Sequence, residues 1–160
     1  MNLTFAPRDI LQFDDARIVY RNFSGTPSKY NREGDRNFAV VINDEETANA
    51  LIAEGWNVKI KPPREDGDDP FIILPVKVKF NERGPNVYLS SNGNQIKLDE
   101  TTVSCLDDVT IQSVDLDVRP FDWVIMEGTA DEKRGRTAYL QAMRVTQELD
   151  RFASSYGYDD

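Results

Sequence analysis

Between Tyr20 and Phe38 four aromatic residues, Tyr20, Phe23, Tyr30 and Phe38, are interleaved with four cations, Arg21, Lys29, Arg32 and Arg36. Single-stranded nucleic acid presents a line of phosphates beside unstacked bases. A protein that holds it needs cations along a groove and ring faces next to them, each stacked base contributing about 1–3 kcal/mol. The same residues also suit a packed strand pair with rings inward and arginines solvated, because aromatics are ordinary strand material. A second set of cations lies in two short rows. Lys59 and Lys61 share one strand face, Lys77 and Lys79 share another, and the Pro-rich loop between them is short enough to make the strands antiparallel neighbours. Four ammonium groups on one face repel unless an anion covers them, although lysines also protect exposed sheet edges without any ligand.

Trp56 and the cluster Arg119-Pro120-Phe121-Asp122-Trp123 supply further rings, and Lys133-Arg134-Gly135-Arg136 supplies a basic turn. For each the plain alternative is a core ring or a solvated turn. Asp115 and Asp117 share a strand face in a spacing that suits Mg²⁺, and Asp131-Glu132-Lys133 superficially resembles the acid-x-lysine piece of some nuclease sites. Solvent-facing acidic pairs are common without a metal. Other catalytic chemistry is restricted by inventory: the chain has no histidine, which excludes Ser-His-Asp triads, Cys-His dyads and imidazole-ligated zinc. Cys105 is the single cysteine, so no intramolecular disulfide or multi-thiolate site can form. No phosphate-cradling glycine pattern is present, and no cofactor is called for.

The elements that must position these residues follow from periodicity. Arg17–Phe23 is a β-branched and aromatic strand ending at Ser24-Gly25-Thr26-Pro27, and a second strand covers Arg36–Ile42. Asn43 or Asp44 caps a helix with its stripe at Ala48, Leu51 and Ile52, stopped by Gly55. Trp56, Val58 and Ile60 then alternate with Asn57, Lys59 and Lys61. A loop over Pro62–Pro70 leads to a strand over Phe71–Phe80, which Pro75 places at an edge or bulge because proline cannot donate to a ladder. Asn86–Leu89 and Gln95–Leu98 form a hairpin, a brief helix capped by Asp99 spans Asp99–Leu106, and long strands cover Thr110–Val124 and Gly135–Thr146. This pattern predicts a mainly β domain, a small OB-like β-barrel with one or two helices, for which α+β is an alternative description.

The length of 160 residues suits one domain, taken as 1–147, and residues 148–160 end in the acidic, aromatic Tyr156-Gly157-Tyr158-Asp159-Asp160, expected to be a mobile tail. The formal charge is −9, from 19 Lys and Arg against 28 Asp and Glu. That average speaks against a polyanion partner, yet it is unevenly spread. Arg17–Phe38 carries five cations and two carboxylates, whereas Lys97–Glu132 carries ten carboxylates and only Lys97 and Arg119. A basic segment within an acidic protein can steer an anion to one face. No apolar run reaches the roughly 18 residues of a membrane helix, and the amino end lacks a signal-peptide pattern. A soluble, cytoplasmic protein without membrane association is expected, and a homo-oligomer is compatible with the sequence.

Tyr20-Arg21-Asn22-Phe23-Ser24-Gly25, Tyr30 through Ile42, and Gly55-Trp56-Asn57-Val58-Lys59 together resemble small phage- and prophage-encoded single-stranded DNA-binding proteins with an OB-fold. The resemblance covers about the first third of the chain and beyond Lys61 is architectural. It implies a five-stranded, partly open barrel that binds single strands with little sequence preference in phage replication or recombination. It further implies that the acidic carboxyl end contacts replication or recombination proteins, although this tail is much shorter than those of bacterial single-strand binders. The site expected from charge and rings places Arg21, Lys29, Arg32, Arg36, Lys59, Lys61, Lys77 and Lys79 on phosphates and Tyr20, Tyr30 and Phe38 under bases, with no catalytic step. Two other classes fit the composition: an acidic interaction protein that mimics DNA to an enzyme, through Asp44–Glu54, Glu65–Asp69 and Asp99–Asp131, and a Mg²⁺-dependent nuclease.

Overall fold

Val114, Leu116 and Val118 are buried while Asp115, Asp117 and Arg119 face outward, the alternation that period-two patterning demands of a strand packed on one side. The computed structural model describes residues 1–63 and 65–148. In chain order its strands are β1 (Asn2–Phe5), β2 (Leu11–Ala16), β3 (Ile18–Asn22), β4 (Arg36–Val41), β5 (Lys59–Lys61), β6 (Phe71–Val78), β7 (Asn86–Ser91), β8 (Asn94–Leu98), β9 (Ile111–Ile125) and β10 (Lys133–Gln147). A single helix, α1 (Glu45–Ala53), and two short 3-10 turns at Pro7–Asp9 and Val103–Asp107 complete the described elements. The strands form one sheet in the order β1-β2-β9-β10-β6-β4-β3, with β5 added beside β6 and the β7-β8 hairpin beside β10. The sheet is open and OB-like. One side of it packs a core of Leu11, Phe13, Phe23, Phe38, Leu74 and Val76 with the inward residues of β9 and β10.

The expected strands and helix are present with boundaries shifted by a few residues. Asp44 is the N-cap, its carboxylate accepting from the Thr47 amide at 2.9 Å. Ala48 and Leu51 pack into the core, but Ile52 is 45% exposed, so the apolar stripe is narrower than its sequence suggests. β5 is only three residues long, and Ile60 on it is exposed. The β7-β8 hairpin closes through Asn92 and Gly93 with φ of 51° and 80°, the left-handed pair of a two-residue type I′ turn. Where a helix was expected over Asp99–Leu106, Asp99 instead folds a turn around Thr101 and Thr102, and a 3-10 turn follows. The β1-β2 hairpin, in which Leu3 and Phe5 pair with Phe13 and Leu11, has no counterpart in the sequence reading. The carboxyl-terminal tail expectation falls outside the described residues.

Pro75 lies at neither an edge nor a bulge. β6 is interior, paired with β4 along Ile73–Val78. The Ile42 amide donates to the Ile72 carbonyl at 2.9 Å, which fixes the ladder phase and turns the nitrogen of Pro75 away from β4. On that other flank β5 stops at Ile73 and β10 begins at Val76, so proline occupies the one position where no neighbour needs a donor.

Phe38 is buried at 2% exposure and stacks on Phe23 with centroids 5.2 Å apart, so it offers no face to a ligand; the expectation that it stacks on a base is corrected to a core role. Burying both rings satisfies the hydrophobic demand of the β3-β4 pair and leaves ligand contact to other residues. Phe38→Ala is expected to lower unfolding free energy by about 3–5 kcal/mol in urea titrations, whereas a ligand-contacting ring would leave stability nearly unchanged.

Candidate nucleic-acid interface

Pairing register assigns each expected site residue to a face. Outward positions on β4 are Asn37, Ala39 and Val41, and they stand beside Lys77, Pro75 and Ile73 of β6. Lys59 and Lys61 stand beside Ile73 and Phe71. Lys77 has Tyr139 of β10 on its other side, and Tyr139 has Arg119 of β9. Farther along β9 the outward residues are Phe121 and Trp123, opposite Thr137 and Gly135. From β4 across to this part of β9, the outward positions carry no carboxylate. Ala39, Val41 and Ile73 are buried yet stand apart from the central core, giving this surface an apolar floor.

Two ring-and-cation clusters occupy it. Tyr20 breaks the β3-β4 register, takes a left-handed φ of 55°, and projects its ring outward. Phe71 meets it edge-on at 6.3 Å, and the Lys61 ammonium sits 4.7 Å above the ring while donating to the phenol oxygen at 3.2 Å. In the second cluster the Arg119 guanidinium lies 5.0 Å over Tyr139, and Phe121 meets Tyr139 edge-on at 6.0 Å. Each cluster pairs a face for a base with a charge for a phosphate.

The β3-β4 loop displays a third group. Asn31 donates to the carbonyls of Thr26, Arg32 and Asp35 and accepts from Asn37, so its side chain organises the loop from inside. Tyr30 stands out at 90% exposure with Lys29 5.5 Å from its ring, and Arg32 is exposed beside them. Arg21 and Arg36 are engaged internally. Arg21 donates to the carbonyls of Leu106 and Val109, closing the 3-10 turn, while Arg36 donates to the Phe23 carbonyl and pairs with Glu100. The lysine rows share one face as expected, and β5 and β6 are antiparallel. The register nonetheless staggers them: Lys77 lies four residues beyond the partner of Lys59, about 13 Å along the strand. Lys79 follows the end of β6 and is exposed.

Phe71 and Tyr139 were not singled out in sequence, although Tyr139 belongs to an alternating strand and Arg119–Trp123 already joined a cation to rings. Trp56 is core, 3% exposed, with the Arg136 guanidinium 5.3 Å from its ring.

The carboxylates behave differently. Asp115 accepts from the Asp15 amide at 2.9 Å and from Arg144 at 2.7 Å, and these bonds hold its carboxyl below the usual range. Asp117 is pushed up by burial and by the nearby charge of Asp14. Glu132 is tied to Arg134 and the Gly128 amide. Among the described residues no group of three or more acidic or cysteine side chains converges as a metal site would.

An open OB-like sheet whose solvent face joins rings and cations and excludes carboxylates defines a single-strand-binding class of protein. The chain belongs to the family described as "Putative phage ssDNA-binding domain", which matches residues 2–158. Its fold is similar to that of the single-stranded DNA-binding protein from bacteriophage Enc34. The C-terminally truncated form of that protein aligns at TM-score 0.56 and 10% identity, covering 93% of this chain and 91% of the other. The form in complex with ssDNA aligns at TM-score 0.53 and 11% identity, covering 94% and 93%. No curated protein sequence matches the chain.

Because folding lowers the Asp115 pKa, its ionised form stabilises the native state. That contribution is complete above the ordinary carboxyl value of 3.8 and disappears as the pH falls through the lower folded value. Asp115→Ala is expected to cost about 1–2 kcal/mol at pH 7, with the gap to the parent narrowing in acid; urea unfolding at stepped pH checks it.

Proposed function

We propose that the protein coats single-stranded DNA during phage DNA replication or recombination, without strong sequence preference and without a catalytic step, in the cytoplasm of the host cell. The observation that carries this reading is the carboxylate-free outward face running from Tyr20, Lys61 and Phe71 past Lys77 to Tyr139, Arg119 and Phe121. Rings accept any base because every base has a π-face, and cations follow the phosphates regardless of sequence. The exposed Lys29, Tyr30 and Arg32 of the β3-β4 loop extend the same chemistry to the rim. Lys59 and Lys79 add charge at its two ends, while Arg21 and Arg36 support the loop and the 3-10 turn from within. Family membership and the likeness to a phage protein solved with ssDNA support the same conclusion. The tail contacting replication or recombination proteins and self-association into a homo-oligomer remain parts of this proposal.

Fluorescence anisotropy with a labelled oligo-dT is the direct test. Binding is expected at low salt and is expected to weaken steeply as salt rises, since each neutralised phosphate releases counterion. Duplex of equal length should bind distinctly worse. Tyr139→Ala should weaken binding by about 1–3 kcal/mol, and Lys61→Ala should reduce the salt slope by roughly one phosphate contact. Absence of binding by the parent at low salt would overturn the reading.

A further inference from the structure

Trp123 stands on the part of the β9-β10 ribbon that extends past the main sheet. Beyond Tyr139 and Arg119 the two strands pair, among the described residues, with each other along Lys133–Thr137 and Phe121–Ile125, apart from one bridge between Trp56 and Arg136. One face of the ribbon carries Arg136, which covers Trp56, whereas Phe121 and Trp123 lie on the face turned away from it, 53% and 38% exposed. Trp123 is held in a fixed pose. It pairs directly with Gly135, and the indole lies across that residue: a Cβ at Gly135 would clash with Cζ2 and come within 2.7 Å of Cε2. The indole Nε1 donates to Thr137 Oγ1 at 3.2 Å, which sets the rotation of the ring. Glycine opposite the tryptophan thus lets the indole pack closely on the backbone, while 38% of the residue stays open to solvent.

The charge around it is sorted. On the ringed face the flanking cations are Arg119 and Lys133, with no carboxylate between them. Asp122 projects to the opposite face, where Arg136 binds it at 2.6 Å and also reaches Asp9. A protein partner would be served by apolar surface alone, whereas cations bracketing a pinned, sequence-tolerant ring face match an unpaired nucleobase and its phosphates. We propose that Trp123, seated on Gly135, is a base-stacking platform that carries the single strand from the main face out along the β9-β10 ribbon. This inference rests on the single-strand-binding reading.

Intrinsic fluorescence isolates the residue, because Trp56 is buried and Trp123 is the other tryptophan of the chain. Titrating the full chain with oligo-dT at low salt should quench the parent's emission, and Trp123→Phe should abolish the quench while anisotropy still reports binding. Trp123→Ala should weaken binding about 5- to 150-fold. Gly135→Ala, which unseats the ring without touching the core, should weaken binding and blunt the quench at an unchanged melting temperature. Binding by anisotropy with no quench, together with parental affinity in Trp123→Ala, would overturn the platform and leave the single-strand reading standing. A changed sedimentation coefficient in Trp123→Ala at parental DNA affinity would also overturn it, assigning the ribbon to protein contact. No binding by the parent in anisotropy would remove the reading on which the inference rests.

Discussion

β10 hydrogen-bonds to three partners, and the rest of the sheet is arranged around that fact. It runs antiparallel to β9 along its length, parallel to β6 at Ala138 and Tyr139, and parallel to β7 from Ala142 to Thr146. The change of neighbour coincides with a register shift between Leu140 and Ala142, a bulge that leaves Gln141 exposed. One extra residue flips which side chains face inward. Before the bulge Ala138 and Leu140 enter the core; after it Met143 and Val145 do. β10 therefore keeps one buried face along its length while its flank is passed from one strand to another.

The same strand sets the outward face. Tyr139 is placed between Lys77 and Arg119 because β10 touches β6 for only two residues before diverging, and the room opened there is occupied by the segment leading into β5. The Asn57 amide donates to the Arg136 carbonyl at 3.2 Å, which ties that segment to the base of the ribbon. Arg136 in turn covers Trp56 and binds Asp122 and Asp9, joining the ribbon, the helix exit and the first turn through one side chain. Pro75 marks the same junction from the β6 side.

Charge is partitioned rather than balanced. The protein carries −9 overall, but many of its carboxylates are engaged locally: Asp44 caps a helix, Asp99 folds a turn, Asp107 accepts from the Phe23 and Ser24 amides, and Asp122 holds Arg136. Such bonds satisfy backbone donors and order the loops. They also keep negative charge off the face where rings and lysines gather, so acidity and affinity for a polyanion coexist in one protein.

Local pattern was enough for the period-two strands, a cap at Asn43 or Asp44, the existence of the β7-β8 hairpin and the absence of imidazole chemistry, because each depends on residues close in sequence. It also put Lys59 and Lys61 on one strand face and Lys77 on another, and all three stand on outward positions. What alternation could not tell was which ring of Tyr20, Phe23 and Phe38 faces the core, since the left-handed bulge at Tyr20 reverses the count. Nor could spacing reveal that Arg21 and Arg36 are spent on the carbonyls of Leu106, Val109 and Phe23, or that Phe71, Tyr139 and Phe121 join the lysines. The arginines and those carbonyls lie between 13 and 88 residues apart along the chain. Strand order and register alone bring them together, and both are decided by how the whole sheet buries its core.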